Sequence, residues 1–190
     1  MFKQLEQVIQ LKKANIFDYY NAGIEKVRIE NNVQRLGLTP TESLASLYQW
    51  HDGLKDWTVP TVSSSIFPFG IFVSLDTAIK AYKEIIEELE LVGPEYFPIL
   101  VEDYIIINLN KKMEDYGSLY ILSPGMAIME PIKIYSSLYS FIKTQIACYE
   151  NGIISFNPEG KRVIDFNKMR QVSRQLNPDC RYWQIESLPT

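Results

Sequence analysis

The stretch from Leu36 to Leu54, LGLTPTESLASLYQWHDGL, constrains this chain more than any other, because it carries both ends of a helix in its own text. Thr39 suits the N-cap, Pro40 the first helical position, and Glu42 completes a capping box of the T-x-x-E form. Leu44, Leu47, Tyr48 and His51 lie at i, i+3, i+4 and i+7, which places them on one helical face. Asp52-Gly53 predicts the stop, since glycine takes the left-handed conformation without a Cβ penalty. Leu54 then folds back near Tyr48.

Around this helix the period of the sequence alternates. Residues 3–30 predict helix with a break near Ala14-Asn15, with Leu5, Val8 and Ile9 on one stripe and Phe17, Tyr20, Ile24 and Val27 on another. Residues 57–62, 66–69 and 72–75 predict short strands broken by Pro60, Pro68 and Gly70. Asp76 predicts the cap of a second helix over 77–91, stopped by Gly93-Pro94. Strands are expected at 97–101, 104–109, 118–122 and 127–134, with Asn110–Gly117 as a polar hairpin loop and Pro131 forcing an edge or a bulge. Ser136 predicts the cap of a third helix over 137–150, and a short basic helix is expected over 166–176. Tyr182-Trp183 is expected to anchor the tail. No repeat, low-complexity tract or linker interrupts the text, so 1–190 is expected to be one domain, with its core over about 33–150, an N-terminal helix at 3–30 and a C-terminal extension at 152–190.

Composition excludes several classes of function. With 46% hydrophobic and 22% charged residues over 190 positions, the chain can bury an ordinary core. A net charge of −4 argues against direct nucleic-acid binding, which needs a concentrated basic face, and is compatible with a basic protein partner. The single histidine, His51, and two unspaced cysteines, Cys148 and Cys180, argue against a zinc site of the usual type. The start, MFKQLEQVIQLKK, lacks the apolar run of a signal peptide, and no segment approaches the ~20 apolar residues of a spanning helix. A cytoplasmic protein with reduced thiols is the expectation.

Catalytic signatures are equally scarce. Neither G-x-G-x-x-G nor G-x-x-x-x-G-K-[ST] occurs, and Gly160-Lys161 lacks the upstream glycine of a phosphate loop. Ser63-Ser64-Ser65 could supply a hydroxyl nucleophile but has no G-x-S-x-G context. His51 is expected in the last turn of its helix, where a cation favours the helix dipole. Cys148 is expected to be a small buried residue.

The order of these landmarks resembles the SUKH superfamily, which contains the fungal Smi/Knr regulators of cell-wall glucan synthesis and many bacterial proteins. LGLTPTESLASLYQWHDG is similar to the family's capped helix, with Asp52-Gly53 in place of the usual Asn-Gly. FPFGIFVSLDTAIKAY resembles the strand leading into the second helix; YFPILVEDYIIINL with the later Gly117-Ser118-Leu119-Tyr120 resembles the paired strands; IYSSLYSFIKTQI resembles the closing helix. The likeness covers about residues 33–150. Two departures stand out: Asn108 where the family often has a carboxylate, and an acidic glycine-rich turn reduced to Glu102-Asp103. The resemblance implies an α+β fold, a mostly antiparallel sheet flanked by helices. It implies no catalytic activity, no cofactor and no metal.

Bacterial members of that superfamily are commonly immunity proteins that neutralise a toxin, and fungal members resemble regulatory scaffolds. The first expectation is therefore a non-catalytic module that binds a protein partner, a toxin domain, with mild negative charge steering a basic partner. The alternatives are a regulatory scaffold for another cellular protein and a hydrolase using Ser63–Ser65 or clustered carboxylates. Partner contacts are expected among acidic and aromatic groups near strand ends: Trp50, Asp52, Trp57, Glu102, Asp103, Glu114, Asp115 and Tyr116. No oligomeric state can be read from the sequence.

Overall fold

The run Tyr104–Asn108 is apolar at every interior position and lies in the middle of a sheet, which explains its composition: both faces of the strand are covered. In the computed structural model, which describes residues 1–56, 59–88 and 90–185, five antiparallel strands form the main sheet. In chain order these are β3 (Gly70–Phe72), β4 (Tyr96–Glu102), β5 (Tyr104–Asn108), β6 (Leu119–Ser123) and β7 (Ile128–Tyr135), and they are neighbours in that same order. Two smaller antiparallel pairs accompany it, β1 (Tyr20–Ala22) with β2 (His51–Leu54), and β8 (Ile154–Phe156) with β9 (Arg162–Ile164). The fold is α+β, antiparallel sheets flanked by helices.

The helices are α1 (Phe2–Gln10), α2 (Lys26–Gln34), α3 (Glu42–Trp50), α4 (Thr61–Ser64), α5 (Leu75–Lys83), α6 (Leu138–Glu150), α7 (Phe166–Leu176) and α8 (Arg181–Gln184). Alternation along the strands splits the core in two. Ile105 and Ile107 face a large cluster with Phe97, Ile99, Leu119 and Ile121, covered by Leu5 and Ile9 of α1, Leu44 and Leu47 of α3, and Phe141 and Ile142 of α6. Ile106 and Leu122 face a smaller cluster on the opposite side, where Ile85 covers them and Tyr96, Tyr104 and Tyr120 pack partly buried beside it.

Several expected elements are shifted or replaced. The N-cap of α3 is Thr41, whose hydroxyl accepts from Leu44 N at 3.1 Å; Glu42 is thus the first helical residue and pairs with Lys26 at 2.6 Å instead of closing a capping box. The helix ends at Trp50, and His51 opens β2. The Nδ1 of His51 lies 3.0 Å from the Asn21 carbonyl oxygen, which can only accept, so Nδ1 carries the proton. Residues 3–30 are two helices separated by a 3₁₀ turn (Ile16–Tyr19) and β1, because Tyr20–Ala22 pairs with β2. The stretch 66–69 is loop; of the strand expected over 57–62, residues 57 and 58 lie outside the described residues and a helical turn begins at Thr61; and the strand expected over 72–75 is instead Gly70–Phe72, with Leu75 opening α5.

Ser74, not Asp76, caps α5, and the helix widens after Lys83 into a π-turn over Glu84–Glu88. Ser137 in place of Ser136 caps α6, in a reciprocal box with Ser140. The basic helix at Phe166–Leu176 has the predicted bounds and is capped by Asp165.

The tail is built into the core. Trp183 is 2% exposed, joins the large cluster, and donates from Nε1 to the Ile134 carbonyl at 2.7 Å. Cys148 and Cys180 are free and buried. The loop from 60 to 70 is held from both ends of the chain: Lys13 donates to the carbonyls of Ser63 at 2.7 Å and Gly160 at 2.8 Å, while Arg162 donates to the carbonyls of Ser65 and Phe67. Burial weighs against the charge of Arg162, and Tyr149, Tyr20 and Glu102 support it.

Candidate protein-binding face

The loop between β5 and β6 begins from a buried asparagine. Asn108 is fully buried at the end of β5, and its side chain organises the turn that leaves the strand. Its amide donates to Asp115 Oδ1 at 2.9 Å, and its carbonyl oxygen accepts from Asn110 N at 2.9 Å. The backbone closes the same loop: Gly117 N donates to Asn108 O at 2.8 Å, and Asn108 N to Ser118 O at 3.0 Å. Gly117 sits at φ +84°, a left-handed conformation that a side chain would strain. Asp115 is gripped from the other side by the hydroxyl of Tyr120. Tyr116 donates to the carbonyls of Thr39 at 3.1 Å and Pro40 at 3.2 Å, so the loop is also fastened to the entry of α3.

This fastened loop walls an open cleft of about 660 Å³, lined by Met113, Glu114, Asp115, Tyr116, Ser118, Lys133 and Ser136. Three of the eight residues nominated from sequence, Glu114, Asp115 and Tyr116, therefore meet at one place. Glu114 is exposed, and Met113 beside it is 37% exposed. Next to the cleft, Tyr96 meets Tyr120 edge-on, with ring centres 5.2 Å apart. Burial, then hydrogen bonding to Asp115, pushes the Tyr120 phenol well above its ordinary range. Burial and the charges of Glu95 and Asp115 raise Tyr96 as well. Both phenols stay neutral and can donate.

The other nominated residues lie elsewhere. Glu102 and Asp103 form the turn at the opposite end of β5, a strand length of about 17 Å away at ordinary strand rise. Asp103 accepts from the Ser123 hydroxyl, and Glu102 is exposed with φ +88°. Trp50 is turned inward: its Nε1 donates to Glu6 at 2.9 Å and its ring stacks on Phe2 at 5.3 Å. Asp52 accepts from Leu75 N at 2.7 Å and so supports the start of α5; burial pushes its carboxyl up. Trp57 lies outside the described residues.

Sequence reasoning missed Met113, Ser118, Lys133 and Ser136 as part of this cleft and Tyr120 as the residue that holds Asp115 from beside it, and noted Asn108 only as a departure from a family pattern. Alternation along β6 puts Tyr120 on the sheet face opposite Leu119 and Ile121 and could have marked it. Lys133 and Ser136 reach the cleft through the β6–β7 pairing, which no local signal announces.

Of the three hydroxyls weighed as nucleophiles, those of Ser64 and Ser65 are bonded to the backbone. Ser64 donates to Pro60 O at 3.2 Å, and Ser65 lies 2.8 Å from Gly70 O and 2.9 Å from Arg162. Among the described residues no group of three or more His, Cys, Asp and Glu side chains could hold a metal ion, and no helix is long and apolar enough to cross a membrane. No protein-family model matches the chain, and no curated protein is significantly similar to it.

Proposed function

We propose that this protein is a non-catalytic protein-binding module of the SUKH type, an immunity protein that neutralises a cognate toxin domain in the cytoplasm. The observation that carries the reading is the cleft walled by Glu114, Asp115 and Tyr116. Its acidic loop is fixed before any partner arrives, by a buried asparagine, a phenol and two carbonyls of the α3 entry. A fixed loop loses little conformational entropy on association, so more of the contact energy remains as affinity. The mixed lining, two carboxylates and a phenol beside Lys133, suits a partner surface of both charges with cations dominant. The superfamily part of the reading rests on the order of SUKH-like motifs in the sequence of residues 33–150, and the α+β fold is compatible with it.

The test is co-expression with a toxin encoded beside this gene. Protection of the host and recovery of a complex support the reading, and Glu114→Lys is expected to weaken that complex about tenfold through lost attraction. Absence of both protection and complex overturns it. Recovery of a housekeeping enzyme in place of the toxin would favour the regulatory-scaffold alternative.

A further inference from the structure

Six buried side-chain polar atoms lack a hydrogen-bond partner among the described residues, and three of them belong to one seam. These are Gln145 Oε1 on α6, Ser173 Oγ on α7 and Asn177 Oδ1 just past the last turn of α7. The three residues are buried, at 0%, 0% and 4% exposure. Contacts tie them together. Ser173 and Asn177 lie one turn apart, and Asn177 Nδ2 donates to Ser173 O at 2.9 Å and to Thr144 Oγ1 at 3.0 Å. Gln145 Nε2 lies 3.5 Å from the Tyr135 phenol oxygen, and the Ser173 hydroxyl faces that same phenol. Two helices and the end of β7 therefore enclose the seam, with Met169 and Val172 of α7 packed on the core beside it.

Rotating the amides does not satisfy them. Thr144 already donates its hydroxyl proton to Ser140 O at 2.8 Å, and the Ser173 carbonyl can only accept. Asn177 must therefore turn Nδ2 toward both, which leaves Oδ1 without a donor. Gln145 can rotate its amide, but the phenol meets only one end at a time, so the other end stays unpartnered either way. Buried polar atoms of native proteins find a partner in protein or in ordered water, and here the protein supplies none.

We propose that the seam between α6 and α7 is a buried hydration site, in which at least one water molecule bonds to Asn177 Oδ1, Ser173 Oγ and the free end of the Gln145 amide and so fastens the C-terminal extension to the body of the fold. The chemistry selects water. The occupant must donate to Asn177 Oδ1 and also meet a hydroxyl that can donate or accept. It must be neutral, because the hydroxyls and amides around it carry no charge, and burial keeps the Tyr135 phenol protonated. Arg170, one turn before Ser173, has a buried unpartnered Nη2 of its own; no hydrogen bond joins it to the seam, and its charge acts on Tyr182. Water, small and able to make several bonds of both kinds, meets each requirement.

The experiment measures water-oxygen magnetic relaxation dispersion on the full chain, with water itself as the probe. The parent is expected to show a contribution from long-lived internal water. Ser173→Ala, alone and combined with Gln145→Met, is expected to lower that contribution by the amount of at least one molecule. Ser46→Ala, at an exposed hydroxyl bonded to Glu42 O, is expected to leave it unchanged. Circular dichroism checks that each variant keeps the fold. A crystal structure of the parent is expected to place the water within hydrogen-bond distance of Asn177 Oδ1, and it decides the matter even where a seam variant does not fold. The proposal is overturned if the parent shows no long-lived water, if parent and folded seam variants show equal dispersion, or if Ser46→Ala lowers it as much. It is also overturned if the crystal structure shows Asn177 Oδ1 bonded directly to a protein donor.

Discussion

Asn108 reaches Asp115 across the β5–β6 loop, 2.9 Å from side-chain amide to carboxylate, with the asparagine fully buried. Replacing Asn108 by alanine removes a donor to Asp115 and an acceptor for Asn110 N at once. The expected cost is about 1–3 kcal/mol of unfolding free energy, measured by urea denaturation. Asn108→Asp is expected to do worse at neutral pH, since it turns a donor into a second carboxylate facing Asp115, and to recover in acid. Amide exchange over residues 110–117 should accelerate in both variants; unchanged exchange there would mean that the loop is fixed without this contact.

Asp52 predicts a pH dependence with a definite sign. Burial holds its carboxyl above the ordinary range, outweighing the bond from Leu75 N. The folded value exceeds the unfolded one, so folding favours the protonated form. That contribution is complete below the unfolded value and is lost as pH rises through the folded value. Asp52→Asn keeps an oxygen for Leu75 N and cannot ionise. It should equal the parent in acid and become the more stable of the two as pH rises across that window, in urea midpoints taken over a pH series. An offset constant with pH would count against ionisation as the cause.

Glu102 occupies a backbone conformation, φ +88°, that suits glycine. Glu102→Gly should therefore be more stable than Glu102→Ala by about 1 kcal/mol, since both lose the attraction to Arg162 and only glycine relieves the strain. Thermal denaturation of the pair decides it, and equal midpoints would show the turn to be unstrained.

Trp183 tests whether the tail is part of the body. Its indole packs against Tyr135 at 5.7 Å and Phe69 at 5.9 Å and bonds to the Ile134 carbonyl. Trp183→Ala is expected to cost about 3–5 kcal/mol from the lost ring and the space it leaves. Trp183→Phe keeps most of the packing and forfeits the hydrogen bond, for about 1–3 kcal/mol. A cost near zero for the alanine variant would make the tail an appendage.

Local features are the legible ones in this sequence. The helix at Phe166–Leu176 can be read because its own cap and stop flank it, and β5 because a wholly apolar run suits a strand covered on both faces. The helix around Leu44–Tyr48 is readable with its cap displaced, since Thr39 and Thr41 both flank Pro40 and only Thr41 aims its hydroxyl at a free N–H. Features that depend on partners far along the chain escape. Tyr20–Ala22 becomes a strand only through His51–Leu54, and the N-terminal segment therefore reads as nearly continuous helix. The π-turn at Glu84–Glu88 carries Ile85, which packs on the back of the sheet, and no spacing in that segment reveals it. The carboxylates of the cleft are visible as an acidic loop; the buried amide that fixes them looks like an ordinary strand-end asparagine.

Lys13 and Arg162 grasp the 60–70 loop from positions far before and far after it in the sequence. A chain emerging from a ribosome has made that loop long before Arg162 appears. The carbonyls of Ser65 and Phe67 must wait for it in water, and the apolar side chains of Ile66, Phe67 and Phe69 wait with them. Closure is thus deferred until residue 162 has been synthesised, and a product that stops short of it leaves those side chains open to association with other nascent chains.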